Sequence, residues 1–377
     1  MKKIFRLMLI TVLLLWSAAL YCSGVSISAQ SAVVLDARTN EVVFESNAHE
    51  KRSMASTTKI MTAILAVESG RLGECVHVTE AMSGAEGTSI GLKPGYKLRL
   101  FDLVCGMMLE SGNDAANAVA LHLSGSFEKF SELMNQKAAE LGMNNTCFIT
   151  PSGLDDENHY STAYDMAILA SYCIRNPVFR SVCSDKSHVA ELISPASGRL
   201  YFSNHNRLLS SVEGVFGVKT GFTKKSGRCL VSAVEKDGIV LVAVTLKAPD
   251  DWNDHKKLFS HCFEQYESCE ADLDFPKSLS VEGGVRSIIP VIAEKDSITV
   301  AARKGQQIEK RIFFPDFIYA PVRKGQVVGR VEYYSGGKMI DSVLLYAGEG
   351  VSPQKETYIQ EKTFLERLAE KFRRLFA

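Results

Sequence analysis

Apolar, β-branched runs at both ends of a long helical stretch constrain the fold of this chain more than any other feature. Residues 31–36 and 41–45 read as two strands, with the turn between them over residues 36–40, where Asp36 and Asn40 favour it. Residues 56–70 then carry apolar side chains at helical spacing: Ile60, Met61, Ile64, Leu65 and Val67. Residues 101–145 and 163–175 read as further helices, the last running into Asn176-Pro177. Two apolar strands follow, 228–234 and 238–246, with Asp237-Gly238 as the hairpin turn, and a helix is expected at about 251–266. Strands, a helical block and strands again predict a mixed α/β (α+β) layered domain over residues 30–272.

The character changes after Phe275-Pro276. Short apolar runs at 287–292, 297–300, 311–314, 329–333 and 342–346 alternate with glycine and charged turns, which predicts a small all-β module over 278–350. Residues 351–362 are polar and carry Pro353, so they read as a linker. In 363–377, Phe364, Leu365, Leu368, Ala369, Phe372, Leu375 and Phe376 share one helical face, with Arg367, Lys371, Arg373 and Arg374 on the other. That pattern suits a helix lying on an anionic membrane surface; a helix docked on its own protein is the competing reading.

At the other terminus, Lys2, Lys3 and Arg6 precede an apolar run from Leu7 to Leu20 and then small residues. Residues 1–29 are therefore expected to be a secretory signal peptide; an uncleaved anchor is the alternative, and either places the body outside the cytoplasm. The 43 basic and 43 acidic residues balance, and no basic stripe is visible, so nucleic acid is not an expected partner. Nine cysteines occur at irregular spacing without C-x-x-C, and Cys105 and Cys229 sit in apolar runs, so free buried thiols are expected. No His/Cys cluster has metal-ligand spacing, and neither a metal nor a cofactor is expected.

Three short motifs carry the chemistry. In Ser56-Thr57-Thr58-Lys59, one helical turn separates a serine from a lysine, so the two side chains share a face. A serine hydroxyl needs a base to become a nucleophile, and a lysine whose pKa is lowered by burial or nearby cations can serve. Ser111-Gly112-Asn113 follows about 55 residues later, in a loop of the helical block. Its serine can relay a proton, and its amide can both donate to and accept from a peptide backbone. Lys219-Thr220-Gly221 comes about 110 residues further on, just before an apolar strand. Lysine and threonine suit a substrate carboxylate, and glycine admits close approach of an extended peptide. Each motif alone is weak; the ordered set is specific.

That set resembles the S-x-x-K, S-x-N and K-T-G triplet of penicillin-binding proteins and serine β-lactamases. The wider segments RSMASTTKIMT (52–62), LESGNDAA (109–116), GLDDENHYSTAYDMA (153–167) and GVKTGFT (217–223) are similar to the serine D-alanyl-D-alanine carboxypeptidases, the low-molecular-mass penicillin-binding proteins. The resemblance spans about residues 30–270, and the β module and amphipathic tail match the family's layout. It implies a penicillin-binding, β-lactamase-like fold and removal of the terminal D-alanine from peptidoglycan stem peptides through an acyl-enzyme. Ser56 would be the nucleophile, Lys59 its base and Ser111 the proton donor to the leaving D-alanine. Asn113 would hold the peptide, and Lys219 and Thr220 its terminal carboxylate. Gly221 would admit the substrate, and the backbone N–H groups of Ser56 and Phe222 would form the oxyanion hole. β-Lactams would acylate Ser56 and leave slowly.

The chain departs from the family in places. Met54 stands where proline is common, and Phe222 where some relatives have histidine. Residues 250–255, Asp-Asp-Trp-Asn-Asp-His, lack the arginine that many relatives carry after the last strands. His159 and Asp165 suggest a Ser-His-Asp triad but fall in a structural stretch of the family pattern; Asp114 is expected to cap its loop, and His205 to be a surface or packing residue, with a place near the site as the alternative. A DD-endopeptidase would use the same residues. A serine β-lactamase would need a deacylating acid such as an E-x-x-L-N glutamate, absent between Ser111 and Lys219. A non-catalytic wall-binding protein would not need Ser56, Lys59, Ser111 and Lys219 together.

Overall fold

The computed structural model describes residues 25–354 together with Lys371 and Arg373; the expected leader up to residue 24, most of the linker and the rest of the C-terminal helix lie outside the described residues. Two compact units emerge, one of residues up to Cys269 with Ala301–Gln306, the other of Glu270–Val300 and residues from Gln307 on.

The first unit is built on a five-stranded antiparallel sheet. Its strands are β1 (Ser31–Asp36), β2 (Glu41–Ser46), β3 (Val215–Thr223), β4 (Gly227–Lys236) and β5 (Ile239–Leu246), in the order β2-β1-β5-β4-β3. In the β1–β2 turn, Asp36 Oδ1 accepts the Arg38 N–H at 2.9 Å and Asn40 takes a φ of 54°. Between β4 and β5, Asp237 and Gly238 both have positive φ, the requirement of a two-residue hairpin whose twist matches its strands.

Side chains of β1 alternate between two cores. Val33 and Leu35 face a large cluster shared with α1 (Lys59–Glu68), α2 (Leu100–Leu109), α3 (Asn113–Ser124), α4 (Phe127–Glu140), α5 (Ala163–Cys173) and α6 (Pro177–Ser184). Ala32 and Val34 face a smaller cluster with Leu258, Phe259 and Cys262 of α7 (Asp251–Phe263). A period of two with both faces apolar makes β1 a central strand, and the unit a helix–sheet–helix sandwich. The expected mixed α/β domain is found. Its long helical region is three helices broken at residues 110–112 and 125–126, the second break closed by Gly125 at φ 82°. Lys219-Thr220-Gly221 lies within edge strand β3, whereas the sequence placed it just before a strand.

The second unit is all-β, as expected. Strands β6 (Ser278–Glu282), β7 (Ile288–Ala293), β8 (Ile308–Phe313), β9 (Phe317–Tyr319), β10 (Val327–Ser335) and β11 (Lys338–Ala347) form one sheet in the order β8-β10-β11-β7-β6-β9. Leu279, Val281, Ile289, Val291, Val331, Val343 and Leu345 are among its buried residues. Strands β6 and β9 were not legible: β6 alternates with serines, and β9 is three residues long. The expected strand at 297–300 runs on to Arg303, and residues 301–306 belong to the first unit, where Arg303 Nη1 donates to Glu41 Oε1 at 2.7 Å. A long-range ion pair of that kind leaves no local pattern.

Candidate active site

Ser56 sits in a single 3₁₀ turn, Ala55–Thr58, that feeds directly into α1, so Lys59 begins the helix one turn after the serine. The turn is clamped from behind. Ala55 has a φ of 48°, a conformation an alanine holds only when its surroundings impose it. Thr57 Oγ1 donates to Met54 O at 2.6 Å, and Thr62 Oγ1 to Pro151 O at 2.6 Å. Buried His159 accepts the Ile149 N–H on Nδ1 at 2.9 Å, which puts its proton on Nε2, 2.8 Å from Thr58 Oγ1. Burial holds this imidazole neutral, its pKa lowered to about 4. Asp165 accepts from Asn145 N and Thr146 Oγ1 at 2.9 and 2.7 Å. Neither residue bonds to Ser56, so the pair serves the scaffold and forms no triad with the nucleophile.

Lys59 is fully buried. Its Nζ lies 2.9 Å from Ser56 Oγ, 2.7 Å from Asn113 Oδ1 and 2.7 Å from the Ser152 carbonyl. Burial first, and then the positive charge of Lys219, lower its pKa well below that of a free lysine, against a weaker opposing pull from Asp114. A neutral amine has two N–H donors and one lone pair. The Asn113 and Ser152 oxygens can only accept, so they take the donors, and the lone pair is left to the Ser56 hydroxyl. The arrangement is that of a base aimed at a nucleophile.

Asn113 opens α3, with its N–H donating to Thr88 O and its Nδ2 to Glu86 O at 2.7 and 2.6 Å. One amide N–H remains for a substrate carbonyl. Buried Asp114 fixes the loop opposite, accepting from Ser89 Oγ, Ile90 N and Leu92 N at 2.6–3.0 Å. It caps a loop as expected, though the loop is 89–92 and not its own. Ser111, at φ 64°, lines the cleft in the turn between α2 and α3.

Edge strand β3 forms the other wall. Its backbone runs so close to the nucleophile that a Cβ on Gly221 would lie 3.1 Å from both the Ser56 and Thr57 nitrogens. Thr220, Gly221 and Phe222 line the cleft, and the Phe222 side chain is 66% exposed. Lys219 is buried in this wall, on the face that Gly221 turns to Ser56, with Nζ donating to the Thr220 carbonyl at 3.0 Å; burial alone pulls its pKa down to about 7.

The cleft, of about 310 Å³, is also lined by Thr88, His205, Arg207, Arg228, Asp251 and Trp252. Of these, the sequence pointed to His205, and to Asp251 and Trp252 only as part of the stretch that lacks an arginine; His205 lines the cleft and pairs with Glu110 at 3.1 Å. Arg228 could have been found by counting register, since it stands opposite Phe222 in the β3–β4 ladder. The Ser152 and Glu86 carbonyls are backbone groups and carry no residue signature. The structure thus gathers Ser56, Lys59, Ser111, Asn113, Lys219, Thr220, Gly221 and Phe222 around one cleft, from three separate segments.

Residues 18–250 match the model of the D-alanyl-D-alanine carboxypeptidase family, and residues 263–352 that of the penicillin-binding protein 5 C-terminal domain. The chain is similar to the D-alanyl-D-alanine carboxypeptidase DacF of Bacillus subtilis, at 31% identity over 97% of this chain and 98% of the relative. It is also similar to DacC of Escherichia coli, at 31% identity over 86% and 85%. Among solved structures, penicillin-binding protein 5 of Haemophilus influenzae superposes with a TM-score of 0.62 at 28% identity, covering 88% of this chain and 99% of that one.

Proposed function

The chain belongs to the D-alanyl-D-alanine carboxypeptidase family of serine peptidases, and from that premise we propose that it hydrolyses the terminal D-Ala-D-Ala bond of peptidoglycan stem peptides at Ser56. The observation that carries the reading is the Lys59 amine, buried, lowered in pKa and 2.9 Å from Ser56 Oγ. Lys59 takes the serine proton as Oγ attacks the penultimate D-alanine carbonyl. The developing oxyanion is met by the Ser56 and Phe222 N–H groups. As the C–N bond breaks, the proton passes from Lys59 through Ser111 to the departing D-alanine nitrogen. Water then attacks the ester, giving its proton back through Lys59 to Ser56, and the shortened peptide leaves with a free carboxylate. Asn113 holds the stem peptide while Lys219 and Thr220 attract its terminal carboxylate. β-Lactams enter as substrate mimics and remain as acyl-enzymes.

The same reading places the protein outside the cytoplasm, secreted by the leader and held at the outer face of the cytoplasmic membrane by the helix expected at 363–377. Its support is the basic, then apolar, N-terminal run and the amphipathic C-terminal pattern.

The test is labelling with a fluorescent penicillin beside Ser56→Ala, with D-alanine release from a D-Ala-D-Ala peptide measured in parallel. A stable adduct and release, both lost in the variant, are expected. Folded wild type that forms no adduct would sink the nucleophile assignment and favour a wall-binding protein. Rapid loss of the label would point to a β-lactamase, and cleavage of cross-linked wall dimers without D-alanine release to an endopeptidase.

A further inference from the structure

Beyond Thr220, the cleft carries a charge pattern that the motif residues do not account for. Two guanidiniums line it, those of Arg207 and Arg228. Arg207 is exposed and forms no ion pair among the described residues. Arg228 is held in place: Nε and Nη2 donate to Asp251 Oδ1 at 2.9 and 2.8 Å, and the guanidinium lies 5.5 Å from the Trp252 ring centroid. Asp251 Oδ1 also accepts the Trp252 N–H at 2.9 Å. Nε and Nη2 thus share one oxygen, and Nη1 has no partner among the described residues.

Register fixes where this group stands. Arg228 is directly opposite Phe222, and Leu230 opposite Thr220. Opposed residues and alternate residues share a face, so Arg228 rises on the side of the sheet that carries Phe222 and Thr220. Lys219 offers less. It is buried, and burial pulls its pKa down to about 7, which weakens its hold on a carboxylate. A guanidinium is charged at any working pH and presents paired donors to a carboxylate. The segment 250–255, where many relatives have an arginine, contributes here the aspartate and tryptophan that brace one coming from the neighbouring strand.

We infer that Arg228, braced by Asp251 and Trp252 and assisted by Arg207, receives the C-terminal carboxylate of the substrate and makes the enzyme selective for peptides with a free C-terminus. The inference rests on the carboxypeptidase reading above.

The full chain is assayed on an acyl-D-Ala-D-Ala peptide and on the same peptide as its C-terminal amide. In Arg228→Gln, kcat/KM on the free carboxylate should fall roughly 10- to 100-fold, mainly through KM, while the amide changes less than about threefold. Arg228→Lys should recover part of the loss. Because Arg228→Gln leaves Asp251 unpaired, the double variant Arg228→Gln/Asp251→Asn is measured beside it, with the same loss expected at a melting temperature near wild type. A carboxylate-to-amide preference unchanged in both folded variants overturns the inference while the carboxypeptidase reading stands. Wild type that releases no D-alanine sinks that reading itself, and the inference with it.

Discussion

At the nucleophile end of the cleft, Lys59 is wholly buried and its amine meets three oxygen atoms, whereas at the receiving end Phe222 is 66% exposed and Arg207 faces solvent without an ion pair among the described residues. The first end must hold a proton acceptor at a set distance in a low dielectric, so the amine is held by internal partners, Asn113 Oδ1 and the Ser152 carbonyl among them. The second must bind and release a charged ligand, so its polar groups are left partly unmatched. Changes at the buried end should therefore damage fold and chemistry together, and changes at the open end should separate them.

The largest effect is expected from Gly153→Ala. Gly153 has a φ of 85°, and a Cβ there would lie 1.9 Å from the Ala55 carbonyl oxygen and 2.8 Å from Thr58 Oγ1. The methyl group cannot be accommodated unless the 3₁₀ turn under Ser56 moves. We expect about 3–5 kcal/mol of destabilisation together with near-complete loss of penicillin acylation. Denaturant unfolding and gel fluorescence measure the two. A stable variant that still acylates would show that the turn is not braced from behind, and the contrast between the two ends would lose its basis.

Lys219→Met is expected to have an intermediate effect, because Lys219 belongs to both ends. Removing its charge removes one of the two causes that lower the pKa of Lys59, so the acid limb of the acylation–pH profile should move to higher pH. Stability should change in the opposite sense from activity. In the fold this lysine titrates near 7, below its unfolded value, so between about pH 7 and 10.5 the unfolded chain binds more protons and stability rises with pH. At neutral pH the wild type bears that cost. The methionine variant should be more stable there by about 2 kcal/mol, with the gap closing toward pH 10. Acylation should fall, since a carboxylate attractor is gone. An unmoved acid limb would mean that the two amines are electrically independent.

How much of this could be read from the chain depends on where each group comes from. The sandwich was legible because both faces of β1, and the hairpin at Asp237-Gly238, leave a short-range pattern in apolar spacing and turn residues. Ser56 and Lys59 were legible because helical geometry converts a three-residue spacing into contact. What escaped was held by backbone or by distance. The Ser152 carbonyl that orients Lys59 belongs to no side chain, and the loop clamped by Asp114 lies 22–25 residues before it. Arg228 sits in an apolar strand whose pairing with β3 has to be known before the residue opposite Phe222 can be named. The departure at residues 250–255 marked a gap without saying what fills it.

The smallest effect is expected at Phe222, where the contrast is sharpest. The side chain is largely exposed, and the proposed oxyanion donor is its backbone N–H. Phe222→His keeps that N–H and the β3–β4 pairing, so kcat/KM for a D-Ala-D-Ala peptide should stay within about threefold of wild type, and stability within about 0.5 kcal/mol. Steady-state kinetics and thermal unfolding suffice to measure both. A loss of tenfold or more would mean that the ring itself contacts the substrate. The receiving end would then share the close packing of the nucleophile end, and the selectivity argued for Arg228 would have to be divided with an aromatic neighbour.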